Sequence, residues 1–247
     1  MSAVAGSLAN GTVLIAGASS PSGVACARAV VAAGASIVAV DINMERLATA
    51  MEGLDGVRME QCDLTNSEAV AALHTSLEDD GCRIDGVIHL VGGWRGGKGI
   101  TGQTDEDWDF LHRLIVTTLR NVTRKFYDDV ASSPIGRYAI VSATAVSAPT
   151  AGGASYTAAK AAAETWIMAM AQGLTRAQSK RKNDPIEQHS AASVIVIKAL
   201  LDDSMIAAEP EKSFTGYTHV NQVAEAMVDV FTASASEVNG ARIVLAS

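Results

Sequence analysis

Several features that would have sent this chain toward other functions are missing from it. No apolar run approaches the roughly 18 residues needed to cross a bilayer. The opening residues lack the basic start and long apolar stretch of a secretory signal, so a cytoplasmic protein with no membrane partner is expected. Cysteine is scarce. Cys26, Cys62 and Cys82 are odd in number, far apart and without metal-ligand or redox-pair spacing, so reduced, packed cysteines and no metal site are expected. Positive charge is in deficit, with 19 Lys+Arg against 27 Asp+Glu and a net charge of -8. That balance repels a phosphate backbone and argues against nucleic acid as a partner. The one basic run, Lys180 to Lys182, leads into Asn183, Asp184 and Pro185 and reads as a solvated helix end or loop. Linkers, internal repeats and low-complexity tracts are also absent, and the Ala-rich stretch Ala158 to Ala163 is explained by helix propensity. One domain over residues 1–247 is the expectation.

What is present is material for a buried core: 48% of residues are hydrophobic and 19% charged. Apolar runs suited to strands buried on both faces recur at Thr12–Ala16, Ser36–Val40, Gly86–Val91, Tyr138–Val141, Ser193–Ile197 and Arg242–Leu245. An apolar-polar run, Val57–Cys62, adds a seventh. Helical patterns fall between them at Gly23–Ala33, Met44–Met51, Ser67–Glu78, Asp105–Val130, Ser155–Ala177 and Val220–Thr232. Thr65, Asn66 and Ser67, and later Thr104, stand where helix N-caps belong, each followed by acidic residues in the first turn. Strand and helix alternate from end to end. The economical architecture is α/β: a doubly wound Rossmann-type domain with a mainly parallel sheet of about seven strands and helices on both faces.

The first strand runs into Gly17, Ala18, Ser19, Ser20, Pro21, Ser22 and Gly23, and a helix then opens. Small residues let the backbone approach a pyrophosphate, whose charge suits the unpaired N–H groups and positive dipole of a helix start. Asp41 ends the second strand, 24 residues after Gly17, where a carboxylate can accept from ribose hydroxyls and repels a 2′-phosphate. With no Arg or Lys in the first loop or directly after Asp41, NAD is expected and NADP less so. Asp63, just before Leu64, is placed to reach an adenine amino group, or to cap a turn. Val91, Gly92 and Gly93 close the fourth strand and let the backbone pass close to a ligand.

In this order the features resemble the short-chain dehydrogenase/reductase family, over about Thr12 to Leu245. The resemblance rests on Gly17 to Gly23, Asp41, Asp63, Gly92 and the pair Tyr156 and Lys160. Residues four apart on a helix share a face, so this phenol and ammonium can address one substrate and one cofactor. A free phenol titrates near ~10, and a neighbouring ammonium is expected to lower that and make Tyr156 a general acid/base. The resemblance implies that Lys160 also holds the nicotinamide ribose while hydride passes between nicotinamide C4 and a small or medium carbonyl, alcohol or imine-like carbon. It further implies a homotetramer or homodimer packed through Asp105–Val130 and Ser155–Ala177.

The chain departs from the family pattern in several places. Pro21 replaces a glycine, which removes one backbone donor but suits a helix start. The catalytic serine, thirteen residues before the tyrosine, is replaced by Ala143; Thr144 or Ser142, on either side, is the candidate substitute, Thr144 narrowly preferred. Ile115 stands at the usual asparagine, and Lys198 to Asp203 lack the usual Pro-Gly. Val91 to Trp94, with Gly96 and Gly97, is similar to a branch of the family, the dihydropteridine reductases, which also work with alanine at the serine position. Residues 200–217 form the expected substrate loop or lid, and Trp94, Arg95 and Lys98 border the same cleft. Two alternatives stand beside the oxidoreductase: a pteridine-type reductase, and a catalytically inactive NAD(H)-binding sensor or scaffold favoured by Ala143, Ile115 and Pro21.

Overall fold

The structure is a computed structural model that describes residues 8–245. Seven strands form one sheet: β1 (Thr12–Ala16), β2 (Ser36–Asp41), β3 (Val57–Gln61), β4 (Gly86–His89), β5 (Arg137–Ala143), β6 (Ala191–Ile197) and β9 (Arg242–Val244). Their order is β3-β2-β1-β4-β5-β6-β9, and every neighbouring pair is parallel. The α/β expectation of a seven-stranded parallel sheet is met. The chain winds outward from β1 in one direction and from β4 in the other, which opens a crevice at the carboxyl ends of β1 and β4.

Alternation along the strands divides the core in two. Leu14, Val38, Val87, Tyr138, Ile140 and Val194 pack on one face, under α3 (Ser67–Asp79), α5 (Thr118–Ser132) and α6 (Ala154–Ala177). Val13, Ile37, Ala39, Ile88, Ala139 and Ile195 pack on the other, under α1 (Pro21–Ala32), α2 (Met44–Ala50) and α8 (Val220–Thr232). Both faces are covered, so the strands read as near-continuous apolar runs. Asn66 caps α3, accepting from Glu68 and Ala69 N–H at 2.9 and 3.2 Å. Thr104 caps α4 (Asp105–Leu111), accepting from Asp107 N–H at 3.1 Å.

The long helix read over Asp105–Val130 is not uniform. Between α4 and α5, residues His112–Thr117 form a π-helical turn, an insertion that shifts one side chain in register and is frequent at functional sites. Segment 200–217 has structure of its own: β7 (Leu200–Leu201) pairs with β8 (Thr218–His219), and α7 (Asp203–Ala208) lies between them. A short α9 (Ala235–Val238) leads to β9. Among the described residues no helix is long and apolar enough to cross a membrane, and no cluster of side chains could hold a metal ion.

Candidate active site

The loop after β1 is shaped by two glycines. Gly17 has φ +83°, a left-handed conformation open to glycine, and a Cβ there would press within 3.2 Å of Val91 N. A Cβ on Gly23 would collide with the Ala18 carbonyl, so α1 closes on the loop only because that atom is missing. Ser20 caps the helix: its Oγ accepts from Gly23 N–H at 3.1 Å and donates to Gly17 O at 2.8 Å. Pro21 occupies the first helical position, where no intrahelical N–H is needed, so its substitution for glycine leaves the helix start intact. The Gly23 N–H is already taken by the cap, which leaves the Ser22 N–H as the unspent donor of this first turn among the described residues.

Asp41 is buried at the end of β2. One of its oxygens accepts from Ser19 Oγ at 2.5 Å, the other from Asn43 N–H at 3.3 Å. Arg46, five residues on, donates to Ser19 Oγ at 2.7 Å and lies 3.7 Å from the Asp41 carboxylate. An exposed guanidinium thus stands beside the carboxylate, supplied by α2 rather than by the residue after Asp41. Asp63 accepts from Thr65 N–H and Oγ1 at 2.9 and 2.7 Å, and buried Asn121 donates to the Leu64 and Thr65 carbonyls at 3.1 and 3.0 Å. Asn121 pins this turn from α5, 57 residues away from Leu64, and spacing in the sequence carried no sign of it.

A cleft of about 1050 Å³ opens over the carboxyl ends of β4, β5 and β6. It brings together Ser20, Pro21 and Ser22 from the first loop, Gly92 and Gly93, and Tyr156 and Lys160. Ser142 lines it as well; Thr144, in the 3-10 turn Thr144–Val146, does not. A second cleft of about 760 Å³ joins it at Pro21 and Asp202 and extends along Ser19, Asn43 and Arg46. Gly17, Gly23, Asp41, Asp63, Leu64 and Val91 line neither.

Lys160 is buried and donates to Val141 O at 2.8 Å, with its ammonium 6.0 Å from the Tyr156 ring centre. Burial lowers its pKa from 10.5 to about 8, while the charge of Glu164 opposes the fall. Tyr156 departs from expectation: burial pushes its phenol above the ordinary value rather than below it, because desolvation disfavours the phenolate. Ile115, in the π-helical turn, is buried and apolar; a Cβ on Gly92 would lie 3.7 Å from the Lys160 ammonium and 3.9 Å from Ile115 Cγ1. His89, at the end of β4, is neutral, its pKa driven to about 3 by burial and by Lys160. Thr118 spends its hydroxyl proton on Leu114 O, so it accepts from His89 Nε2–H at 3.1 Å. His89 Nδ1 is then the acceptor for Tyr138 at 3.4 Å.

The cleft mouth is braced by a residue the sequence reading passed over. Gln103 donates to the carbonyls of Gly99, Ala151 and Gly152, and its Oε1 accepts from Ser155 N–H at 3.1 Å. It ties the loop after β4 to the start of α6, one residue before Tyr156. Trp94 lines the cleft with 72% of its surface exposed. Arg95, by contrast, is engaged: it bonds Asp107 at 3.0 Å and stacks 3.7 Å from the Phe110 ring centre, so it is not free for a ligand. Lys198, Asp202 and Tyr217 also line the cleft, the last two from the 200–217 segment.

The sequence profile described as short chain dehydrogenase matches residues 11–178. No curated protein matches the chain. Among solved structures, an NADPH-bound short chain oxidoreductase from Pseudomonas aeruginosa with an atypical catalytic center superposes with TM-score 0.82 at 17% identity, covering 95% of this chain and 94% of that one. A gluconate 5-dehydrogenase from Burkholderia cenocepacia, in complex with NADP and tartrate, has TM-score 0.79 at 20% identity, with 96% and 94% covered. An NAD+-bound xylitol dehydrogenase has TM-score 0.78 at 18% identity, with 97% and 98% covered. The expected preference for NAD over NADP is overturned: the same frame carries NADPH and NADP in these neighbours as well as NAD+. The physical ground of that expectation also fails, since Arg46 supplies beside Asp41 the cation that the sequence was read as lacking.

Proposed function

We propose, from the premise that this chain belongs to the short-chain dehydrogenase/reductase family, that it reduces a small or medium planar carbonyl or imine-like substrate, with Tyr156 as proton donor. Membership carries nicotinamide-dependent oxidoreductase activity; the rest is our reading. The residues fit a dinucleotide: a cradle that a Cβ on Gly23 would close, a free Ser22 N–H at a helix start, and Ser19 and Arg46 along the adjoining cleft, with buried Asp41 behind them. Gly17, Ser19, Ser20, Pro21, Ser22, Gly23, Gly92 and Gly93 would hold it, with Asp41, Asp63, Leu64 and Val91 at its adenosine end. A bound nicotinamide dinucleotide supplies the hydride.

The single observation that carries this reading is geometric: Tyr156 and Lys160 line one cleft with the first loop, the ammonium on Val141 O at 2.8 Å and 6.0 Å from the phenol ring centre, where burial raises the phenol above its ordinary pKa. A phenol that keeps its proton at neutral pH is a donor, and the ammonium stabilises the phenolate left behind. Ser142 is the flanking residue on the cleft wall, but its Oγ is buried and would have to turn into the cleft to orient the substrate in place of the hydroxyl missing at Ala143. Imine reduction develops less oxyanion character than ketone reduction, so the loss of that hydroxyl is cheaper for such a substrate. Exposed Trp94 favours a planar ring, which keeps a pteridine-type reductase among the readings and a pterin among the substrates to be tried. We further propose that residues 1–247 work as one dinucleotide-binding domain, that 200–217 closes over the substrate, and that the chain is a homo-oligomer packed through α4, α5 and α6.

The test is oxidation of NADH and NADPH across a panel of quinones, ketones and quinonoid pterins. Tyr156→Phe is expected to reduce turnover by about 100- to 10,000-fold while dinucleotide binding, read by fluorescence, is kept. Unchanged turnover in that variant refutes the mechanism, and binding without any turnover by the wild type favours a non-catalytic sensor.

A further inference from the structure

Beneath Tyr156 and Lys160 lies a charged pair that motif spacing did not single out. Thr157, Lys160 and Glu164, at i, i+3 and i+7, run along one flank of α6. That flank continues to Ala171, whose carbonyl accepts from Asn239 Nδ2 at 3.0 Å, just before β9. Glu164 is buried, and its Oε2 accepts from Arg242 Nε at 3.0 Å. Arg242 comes from β9, the edge strand, and its Nη2 reaches to 3.5 Å from Ala143 O. Two residues back along β5, Val141 O holds the Lys160 ammonium at 2.8 Å. One carboxylate and two cations therefore converge on the end of β5, running from the partly exposed β9 edge to the buried lysine.

Three buried side-chain polar atoms have no hydrogen-bond partner among the described residues: Ser142 Oγ, Thr157 Oγ1 and Glu164 Oε1. All three adjoin Lys160 in the fold. Ser142 follows its acceptor Val141, and Thr157 and Glu164 are one helical turn to either side. Folded interiors rarely leave such groups unmatched, and their concentration here marks polar ground kept around a charge. Apolar Ile115 is near the same ammonium, both within 4 Å of where a Cβ on Gly92 would stand.

We propose that Glu164 is a positioning residue for the proton-transfer pair: its buried carboxylate, held by Arg242 one helical turn from Lys160, keeps the ammonium charged beneath Tyr156. The inference rests on the reading of Tyr156 and Lys160 as that pair. Among the described residues, the groups facing Lys160 are Tyr156 and Glu164 from α6, His89 from β4 and, through Glu164, Arg242 from β9; Glu164 alone is anionic. Burial drives the lysine down and Glu164 holds it up, so an uncharged side chain at 164 leaves desolvation unopposed.

The experiment is a 13C NMR titration of Cε-labelled lysine in the full chain, with the Lys160 signal assigned by its loss in Lys160→Met. The wild-type midpoint is expected near about 8. Glu164→Gln is expected to lower it by on the order of one pH unit, with Glu164→Asp between the two. Arg242→Gln, which removes the competing cation, is expected to raise it. An unchanged or raised midpoint in Glu164→Gln overturns the proposal. Should Glu164→Gln fail to fold, an unchanged or lowered midpoint in Arg242→Gln overturns it instead. The titration needs no substrate, so failure of the Tyr156 mechanism, read by turnover in Tyr156→Phe, remains separate.

Discussion

The carboxyl ends of β1 and β2 and those of β4, β5 and β6 face one crevice, yet they are built differently. On the first side the parts are close in sequence. Gly17, Ser20 and Gly23 lie within one loop and fix each other through the Ser20 hydroxyl, and Asp41 is met by Ser19 from that same loop. On the second side the longest contacts span the fold: Gln103 to Ser155 across 52 residues and Arg242 to Glu164 across 78. The cofactor side is a local backbone shape, whereas the catalytic side is an assembly of side chains that only the finished sheet brings together. Damage to the first should therefore appear in stability and dinucleotide binding together, and damage to the second in turnover alone.

The strongest attempt to break that division is Gly23→Ala. The added Cβ meets the Ala18 carbonyl, which is backbone and cannot swing aside. Overpacking of this kind costs roughly 1–3 kcal/mol, and α1 must withdraw from the loop that it caps. The expected outcome is a melting temperature lower by several degrees and NADH and NADPH affinities weakened together by about tenfold or more. A variant that melts lower but binds both dinucleotides normally would detach loop shape from cofactor binding.

Gln103→Ala probes the other side. The side chain joins three carbonyls and the Ser155 N–H, in bonds that are at most partly buried, so stability should fall only modestly. Tyr156 follows Ser155 directly, and misplacement of a reacting group by about 1 Å costs up to 100-fold. The expected outcome is a ten- to hundredfold fall in kcat, with melting temperature and dinucleotide affinity close to wild type. A fall in affinity instead of kcat would show that the two sides are one mechanical unit.

The same division explains how much could be read from the sequence. The parallel sheet was legible because strands covered on both faces are apolar throughout, and the first loop because small residues at a strand-to-helix junction leave a local pattern. Tyr156 and Lys160 were legible as a spacing on one helix. Three things were not. The π-helical turn at His112–Thr117 interrupts a pattern that remains helical in period, so Asp105–Val130 read as one helix. The raised pKa of Tyr156 comes from burial, which a pair of residues four apart does not disclose. Gln103, Asn121 and Glu164 owe their roles to partners far along the chain, and nothing beside them in sequence distinguishes them from ordinary polar residues.

Arg46 shows that even the local side has a part the motif did not contain, and it carries the smallest expected effect. The reading of Asp41 as a barrier to a 2′-phosphate assumed that the carboxylate stood alone. In the structure Ser19 and Arg46 share it, and the guanidinium is exposed. A guanidinium is suited to phosphate as well as to carboxylate, so the side chain can leave Asp41 for a dinucleotide that bears the extra phosphate and stay for one that does not. Its solvent exposure limits what either contact contributes. Arg46→Ala is accordingly expected to weaken NADPH binding by about fivefold, roughly 1 kcal/mol, and to leave NADH binding within about twofold of wild type. Equal losses for both would place Arg46 with Gly23 as a support of loop shape. A loss confined to NADPH would make it a side-chain determinant on the side otherwise governed by backbone.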